Sequence, residues 1–226
     1  MLNMAFNSET DSVSGELNLE EKSNFIFYLF FKRIFDFLFA LIAAIVFSPV
    51  FIVVSVAIKL TSKGPSIYRQ VRVGKNGKLF TLYKFRTMVD GAEVLEDHLT
   101  PELVEKYKRD RKLENDPRVT KVGSVLRRSS LDELPQIFNI LKGNMSIIGP
   151  RPIMPEEIEM YGESYSLYTS ILPGLTGLWQ VKCRHITAMS ERARLDAEYI
   201  KNIGMFYDLG ILLKTFGVVM SKKGAC

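Results

Sequence analysis

From Phe37 to Ile58 the chain is almost wholly apolar, about 22 residues, long enough for a helix to cross a bilayer core. The run is too long and too far from the N-terminus for a cleaved signal peptide, and no small-residue cleavage site follows it. Ser48-Pro49 falls near its middle, where proline removes a helical hydrogen bond and bends the axis. Lys32 and Arg33 precede the run, and Lys59 and Lys63 close it. Basic residues favour the cytosolic side, so both flanks are drawn to the same face. A helix that enters, breaks at Ser48-Pro49 and returns satisfies both constraints; a straight span is the simpler alternative. The backbone groups freed by the proline then need Ser48 or a packed neighbour, because lipid offers no partners.

No second span follows, so the rest reads as a cytosolic-facing domain on one anchor. Residues 1–24 are polar and patternless and read as a flexible tail. Residues 25–63 are expected to form the anchor, and 64–226 the globular domain that it carries.

Thirty Lys and Arg against twenty-five Asp and Glu leave a net charge of +5. That balance suits anionic partners: phosphorylated ligands, acidic headgroups or nucleic acid. Nucleic acid is set aside, because there is no zinc-finger spacing or basic helix, and Arg127-Arg128 and Lys222-Lys223 are too short. Cys183 and Cys226 make no disulfide framework, which suits a reduced compartment. A zinc site built on Cys183 and His185 lacks further ligands.

Gly64-Pro65 stops the anchor helix. Residues 67–73 and 78–85 alternate around Gly74-Lys75-Asn76-Gly77, the pattern of a β-hairpin whose second strand carries Lys84, with Arg86 just beyond. Residues 90–112 are charged and helical in pattern, with Pro101 as a break or a new start. Leu131 to Leu141 reads as a helix ended by Gly143. Gly149-Pro150-Arg151-Pro152 holds one arginine between two prolines, either a rigid connector or a fixed guanidinium for a phosphate. Residues 172–181 read as a glycine-punctuated loop running into an extended stretch, and Ser190 to Ile203 as a helix carrying Arg194 and Asp196. Met205 to Met220 reads as an amphipathic helix, on a membrane surface or anchor, or packed into the core. The expected fold is therefore α+β: a mainly helical domain with a small β-hairpin on a re-entrant helix.

Two adjacent acids, Asp132 and Glu133, follow Arg127 and Arg128 in Ser129-Ser130-Leu131-Asp132-Glu133-Leu134-Pro135-Gln136. Ser130 and Glu133 have the spacing of a capping box, with Pro135 near the first turn. At such a helix N-terminus a carboxylate stays ionised and phosphates are welcome. The pair then suits a metal ligand or a nucleophile, and adjacency does not choose between them.

These motifs, in order, resemble the bacterial sugar transferases, the monotopic phosphoglycosyl transferases that start polysaccharide assembly on a polyprenyl phosphate. The resemblance is carried by Ser48-Pro49, Tyr83-Lys84-Phe85-Arg86-Thr87-Met88, Asp116-Pro117-Arg118-Val119-Thr120, the acid motif, Lys142-Gly143-Asn144-Met145-Ser146, Gly149-Pro150-Arg151-Pro152 and Pro173-Gly174-Leu175-Thr176-Gly177. Residues 111–119 and Gly177-Leu178-Trp179-Gln180 are most similar to the short exopolysaccharide-initiating members.

The resemblance implies transfer of a sugar 1-phosphate from a UDP-sugar to undecaprenyl phosphate, with release of UMP, a covalent phosphosugar-aspartate and Mg²⁺. It implies Asp132 as nucleophile, with Glu133 beside it at the metal. Lys84, Arg86, Arg151 and Arg184 would bind phosphates, and Asp196 would support the cluster. It places the protein at the cytosolic face of a bacterial inner membrane, among its lipids and downstream glycosyltransferases, with a homodimer left open. Where the family usually reads Asn-Gly-Arg-Asn, this chain has Lys182-Cys183-Arg184-His185. Losing glycine at 183 removes easy access to φ > 0, which bears on the sugar more than on the chemistry; UDP-galactose and UDP-glucose are the favoured donors. The competing functions are a non-catalytic membrane scaffold and a Mg²⁺-dependent lipid-pyrophosphate phosphatase.

Overall fold

A computed structural model describes residues 19–110, 113, 115–182 and 188–221. The described residues begin with two helices, α1 (Leu19–Val46) and α2 (Ser48–Thr61), bent by 60° at Phe47. Pro49 lies in the first turn of α2 and has no N–H to donate four residues back to Ile45. The Ser48 hydroxyl takes its place, donating to the Ile45 carbonyl at 2.8 Å. Backbone bonds from Phe47 to Ala43 and from Phe51 to Phe47 continue across the bend, so the break is confined to one residue. Among the described residues no single helix is long and apolar enough to cross a membrane; the bent pair taken together is.

Ile26, Phe30, Leu38, Ile42, Ile45, Ile52, Val53 and Val56 of this pair lie exposed. Its inward face is narrow. Asp36, Ala40 and Ala43, at helical spacing, are buried from α1, and Val54 and Ile58 from α2. The alanines join a core with Ile137, Ile140, Met145, Ile147, Leu195 and Tyr199. Polar fastenings sit beside them: Asp36 accepts the Ile147 N–H at 3.0 Å, and Arg33 donates to the Ile140 carbonyl at 2.8 Å.

Strands β1 (Ile67–Val73) and β2 (Leu79–Phe85) pair antiparallel from Ile67 opposite Phe85 to Val73 opposite Leu79. Asn76 (φ 57°) and Gly77 (φ 69°) make the left-handed turn that Asn-Gly favours. The charged stretch after the hairpin is helical only over α3 (Pro101–Asp110), with Pro101 as its start. Next comes α4 (Lys121–Ser129), a helix absent from the expectations above; the Thr120 hydroxyl caps it by accepting the Gly123 N–H at 2.9 Å.

The expected helix over 131–141 is divided. Ser130 has φ 56° and closes α4 as its left-handed C-cap, so its side chain makes no capping bond. The acids occupy a single 3₁₀ turn, Leu131–Glu133, and the helix proper is α5 (Gln136–Leu141). A short parallel pair follows, β3 (Ser146–Ile148) with β4 (Gly174–Thr176), separated by α6 (Ile158–Tyr161) and α7 (Ser164–Thr169). A Cβ at Gly174 would come within 2.1 Å of the Gly149 nitrogen, so only glycine lets these backbones meet. The stretch expected to be extended after β4 is instead a short helix, α8 (Leu178–Lys182). The last described elements are α9 (Met189–Lys201) and α10 (Met205–Ser221). On α10, Asp208 and Ile211 face inward while Phe206, Leu213 and Phe216 lie exposed. The fold is α+β, mostly helical, with a small antiparallel hairpin.

Candidate active site

Asn139 on α5, fully buried, draws the acid turn against β2. Its Oδ1 accepts the Tyr83 N–H at 3.0 Å and its Nδ2 donates to the Thr81 carbonyl at 2.7 Å. This brings Lys84 of β2 to the turn. The Lys84 ammonium donates to Glu133 Oε1 at 2.9 Å, and both terminal nitrogens of Arg151 approach the same oxygen at 3.4 Å. Residues 84, 133 and 151, far apart in sequence, thus converge on one carboxylate oxygen.

Asp132 is partly buried beside them. Burial first, and the Glu133 charge second, push its carboxyl above the usual carboxylate range; Lys84 and Arg127 pull it back. The expectation of an acid kept ionised by a helix N-terminus is not met: the acids lie in a single 3₁₀ turn, no α-helix begins at Asp132, and Lys84 and Arg127 offset the upward push only in part. Among the described residues no side chain donates a hydrogen bond to Asp132. Burial also pushes the Lys84 ammonium down, Glu133 opposes this, and Arg151 adds to it.

Arg86 stands elsewhere. Its guanidinium donates to the Ser62 carbonyl (3.1 Å) and hydroxyl (2.9 Å) and lies 3.5 Å from Asp90, tying the end of α2 to the residue after β2. Arg184 lies outside the described residues. Asp196 is buried behind the site, where it accepts the Tyr161 hydroxyl at 2.8 Å and lies 3.8 Å from the Arg192 guanidinium. Burial pushes its carboxyl up to about 6 against the pull of Arg192. Arg127, which the sequence already sets beside the acid pair, acts on Asp132 as its position suggests. Sequence reasoning did not find Asn139, Arg72 or Arg192, because each acts on a segment remote in sequence. Among the described residues no group of three or more His, Cys, Asp or Glu side chains is placed to hold a metal.

The acid pair and its cationic neighbours thus sit on a helical α+β domain that packs against a bent apolar helix pair. The chain belongs to the bacterial sugar transferases: the model of that family matches residues 27–222. It is 44% identical over 197 residues to the exopolysaccharide production protein ExoY of Rhizobium meliloti, covering 86% of this chain and 87% of that protein. It is 41% identical over 228 residues to the undecaprenyl-phosphate galactose phosphotransferase of Salmonella typhimurium, covering 99% of this chain and 47% of the relative. It is 39% identical over 193 residues to the UDP-glucose:undecaprenyl-phosphate glucose-1-phosphate transferase of Escherichia coli, covering 81% of this chain and 39% of that protein. The chain thus spans less than half the length of the last two.

Proposed function

We propose that this protein transfers a hexose 1-phosphate from UDP-galactose or UDP-glucose to undecaprenyl phosphate, releasing UMP, as the first step of exopolysaccharide or capsule assembly. The observation that carries the reading is the sharing of one Glu133 oxygen between Lys84 and Arg151, immediately beside the Asp132 carboxylate, to which no side chain among the described residues donates a hydrogen bond. The names of the Salmonella and Escherichia coli relatives support the acceptor and the two sugars.

An Asp132 oxygen attacks the phosphorus that bears the sugar. The bond from that phosphorus to the oxygen bridging it to UMP breaks, and UMP leaves with the electron pair. An oxygen of undecaprenyl phosphate then attacks the same phosphorus, forming the lipid pyrophosphate and restoring the carboxylate. Splitting the transfer in two lets a soluble donor and a lipid acceptor use one site in turn. Lys84 and Arg151 neutralise charge on the phosphates, which an attacking anion requires. Arg184 is assigned the same role from its motif.

Mg²⁺ fits the donor set. Two adjacent carboxylates suit an ion that keeps several waters and takes phosphate oxygens, and the upward push on Asp132 is one a nearby cation relieves. Asp132 and Glu133 would hold it, and bound there it would supply charge neutralisation to the pyrophosphate. The exposed apolar faces of α1 and α2 and the bend at Ser48-Pro49 support a re-entrant anchor. The basic flanks then set the site at the cytosolic face of a bacterial inner membrane.

Enzyme mixed with UDP-galactose or UDP-glucose and no acceptor should release about one UMP per site and gain the mass of a hexose phosphate. Asp132→Asn should abolish that adduct. An Asp132→Asn protein that still transfers sugar phosphate at a substantial rate would rule out the covalent step. Release of inorganic phosphate instead of UMP would favour the phosphatase.

A further inference from the structure

Prolines on either side of Arg151 restrict φ, but they do not determine which way the loop's carbonyls point. Two guanidinium groups do, that of Arg192 buried and that of Arg72 half-buried. Arg192 of α9 donates to the Arg151 carbonyl at 2.6 Å, and Arg72 of β1 donates to the Pro152 carbonyl at 3.1 Å. The loop is gripped on consecutive carbonyls by elements some 120 residues apart. Each gripping arginine is itself held. Arg192 lies 5.3 Å from the Trp179 ring centre and 5.9 Å from that of Tyr161, with Asp196 behind it. Arg72 donates to Gln70 Oε1 at 2.6 Å and lies 3.8 Å from Glu157, which in turn accepts the Met154 N–H at 2.7 Å.

Stability alone explains this arrangement poorly. Burial, and then the charge of Arg151, push the Arg72 guanidinium down to about 10, with Arg192 adding to the repulsion. Among the described residues Arg72 Nε, Arg192 Nε and Asp196 Oδ1 are buried without a hydrogen-bond partner. Unsatisfied buried polar atoms and crowded like charges are unfavourable in the empty protein. Features of this kind persist where function selects the geometry.

We infer that Arg192 and Arg72 are positioning residues: by holding the carbonyls of Arg151 and Pro152 they aim the Arg151 fork at the phosphates of the UDP-sugar. The inference rests on the transfer reading above and assigns residues that the sequence motifs leave out. Neither arginine needs to touch substrate. Each acts through Arg151, so its effect should vanish when Arg151 is gone.

The test is a double-mutant cycle on the full-length protein. UMP release is measured against UDP-galactose and UDP-glucose for wild type, Arg192→Gln, Arg151→Ala and the double variant. Arg192→Gln alone should lower kcat/KM for the UDP-sugar by on the order of a hundredfold, the scale of a misplaced binding group. In the Arg151→Ala background the same change should have almost no further effect. Arg192→Lys keeps charge and a donor and should recover part of the loss; it carries the cycle if the glutamine variant fails to fold. Arg72→Lys and Arg72→Gln are expected to follow the same pattern. Losses that add in full in the Arg151→Ala background, or single variants with wild-type kinetics, would overturn the inference. UDP binding by calorimetry runs the same cycle without turnover. A wild type silent in UMP release would sink the transfer reading, while the binding cycle would still decide the positioning claim.

Discussion

Replacing Asn139 by leucine tests how the site is assembled. The hairpin has only two strands, so the outer edge of β2 would otherwise leave the Tyr83 N–H and the Thr81 carbonyl open. Asn139 serves that edge as a third strand would, with one acceptor and one donor from a single side chain that is 0% exposed. Leucine fills similar space and offers neither group. A buried peptide group left unpaired loses about 1–3 kcal/mol. With two such groups, partly offset by an apolar side chain, the variant should lose about 2–4 kcal/mol of local stability. Hydrogen exchange reads this directly. At about 1.4 kcal/mol per tenfold, a mid-range loss should speed exchange of the Tyr83 amide on the order of a hundredfold, if that amide exchanges through local opening. Because Lys84 follows Tyr83 and Glu133 lies just before α5, the 2.9 Å contact between them should loosen, and UMP release should fall with it. A leucine variant whose Tyr83 amide exchanges within about threefold of wild type, with an unchanged thermal midpoint, would refute the reasoning.

Asp196 gives a pH dependence with two opposite signs. Its folded pKa of about 6 exceeds the ordinary 3.8, so the folded protein holds a proton here that the unfolded chain releases. Its penalty, about 3 kcal/mol, is therefore present above pH 6 and relieved as pH falls towards 4. Transfer should instead weaken below about pH 6, as a neutral Asp196 loosens Arg192; Asp196→Asn should remove that acid limb, and a limb that persists would refute this. Arg118→Met should lower stability by about 3–5 kcal/mol in a thermal or denaturant melt, because it strands the buried carboxylate of Asp116, now held at 2.6 Å. Asp116→Asn added to it should recover part of the loss. Pro49→Ala restores an N–H that competes with Ser48 for the Ile45 carbonyl, so cysteine labelling from each side should find a fraction of molecules with Lys63 moved across the membrane.

How much was legible follows from how local each signal is. The hairpin could be read because alternation and Asn76-Gly77 specify it within about 20 residues. The bend could be read because Ser48-Pro49 acts within one turn. The acid turn misled. Ser130 fits both an N-cap and a left-handed C-cap, and the helix before it, started by Thr120, decides the matter. Residues 178–181 carry Trp and Val, which favour strands, yet Leu178 and Gln180 are buried and the segment is a helix; packing against α9 and α10 overrides local preference. Lys84, Asp132, Glu133 and Arg151 were legible through family motifs, whereas Arg72 and Arg192, which hold the Arg151 loop, were not. A buried arginine has no local signature, since its partners are carbonyls from another part of the chain.

The same distinction explains why a helix pair so apolar carries a buried acid. A helix that only tethered the domain could present Ala and Leu inward. Instead α1 places Asp36 on the N–H of Ile147 in β3 and Arg33 on the carbonyl of Ile140 at the end of α5. Beyond α2, Ser62 receives Arg86 from the end of β2. Polar contacts of this kind are directional and fail if the elements slide, whereas apolar contacts tolerate displacement. The three fastenings reach β3, which leads into the Arg151 loop, α5, which follows the acid turn, and β2, which carries Lys84. Each part of the candidate site is therefore set in register with the bent helix pair. Under the proposed transfer, a phosphate at the bilayer surface would then meet Asp132 at a height fixed by α1 and α2, without the polyprenyl chain leaving the membrane.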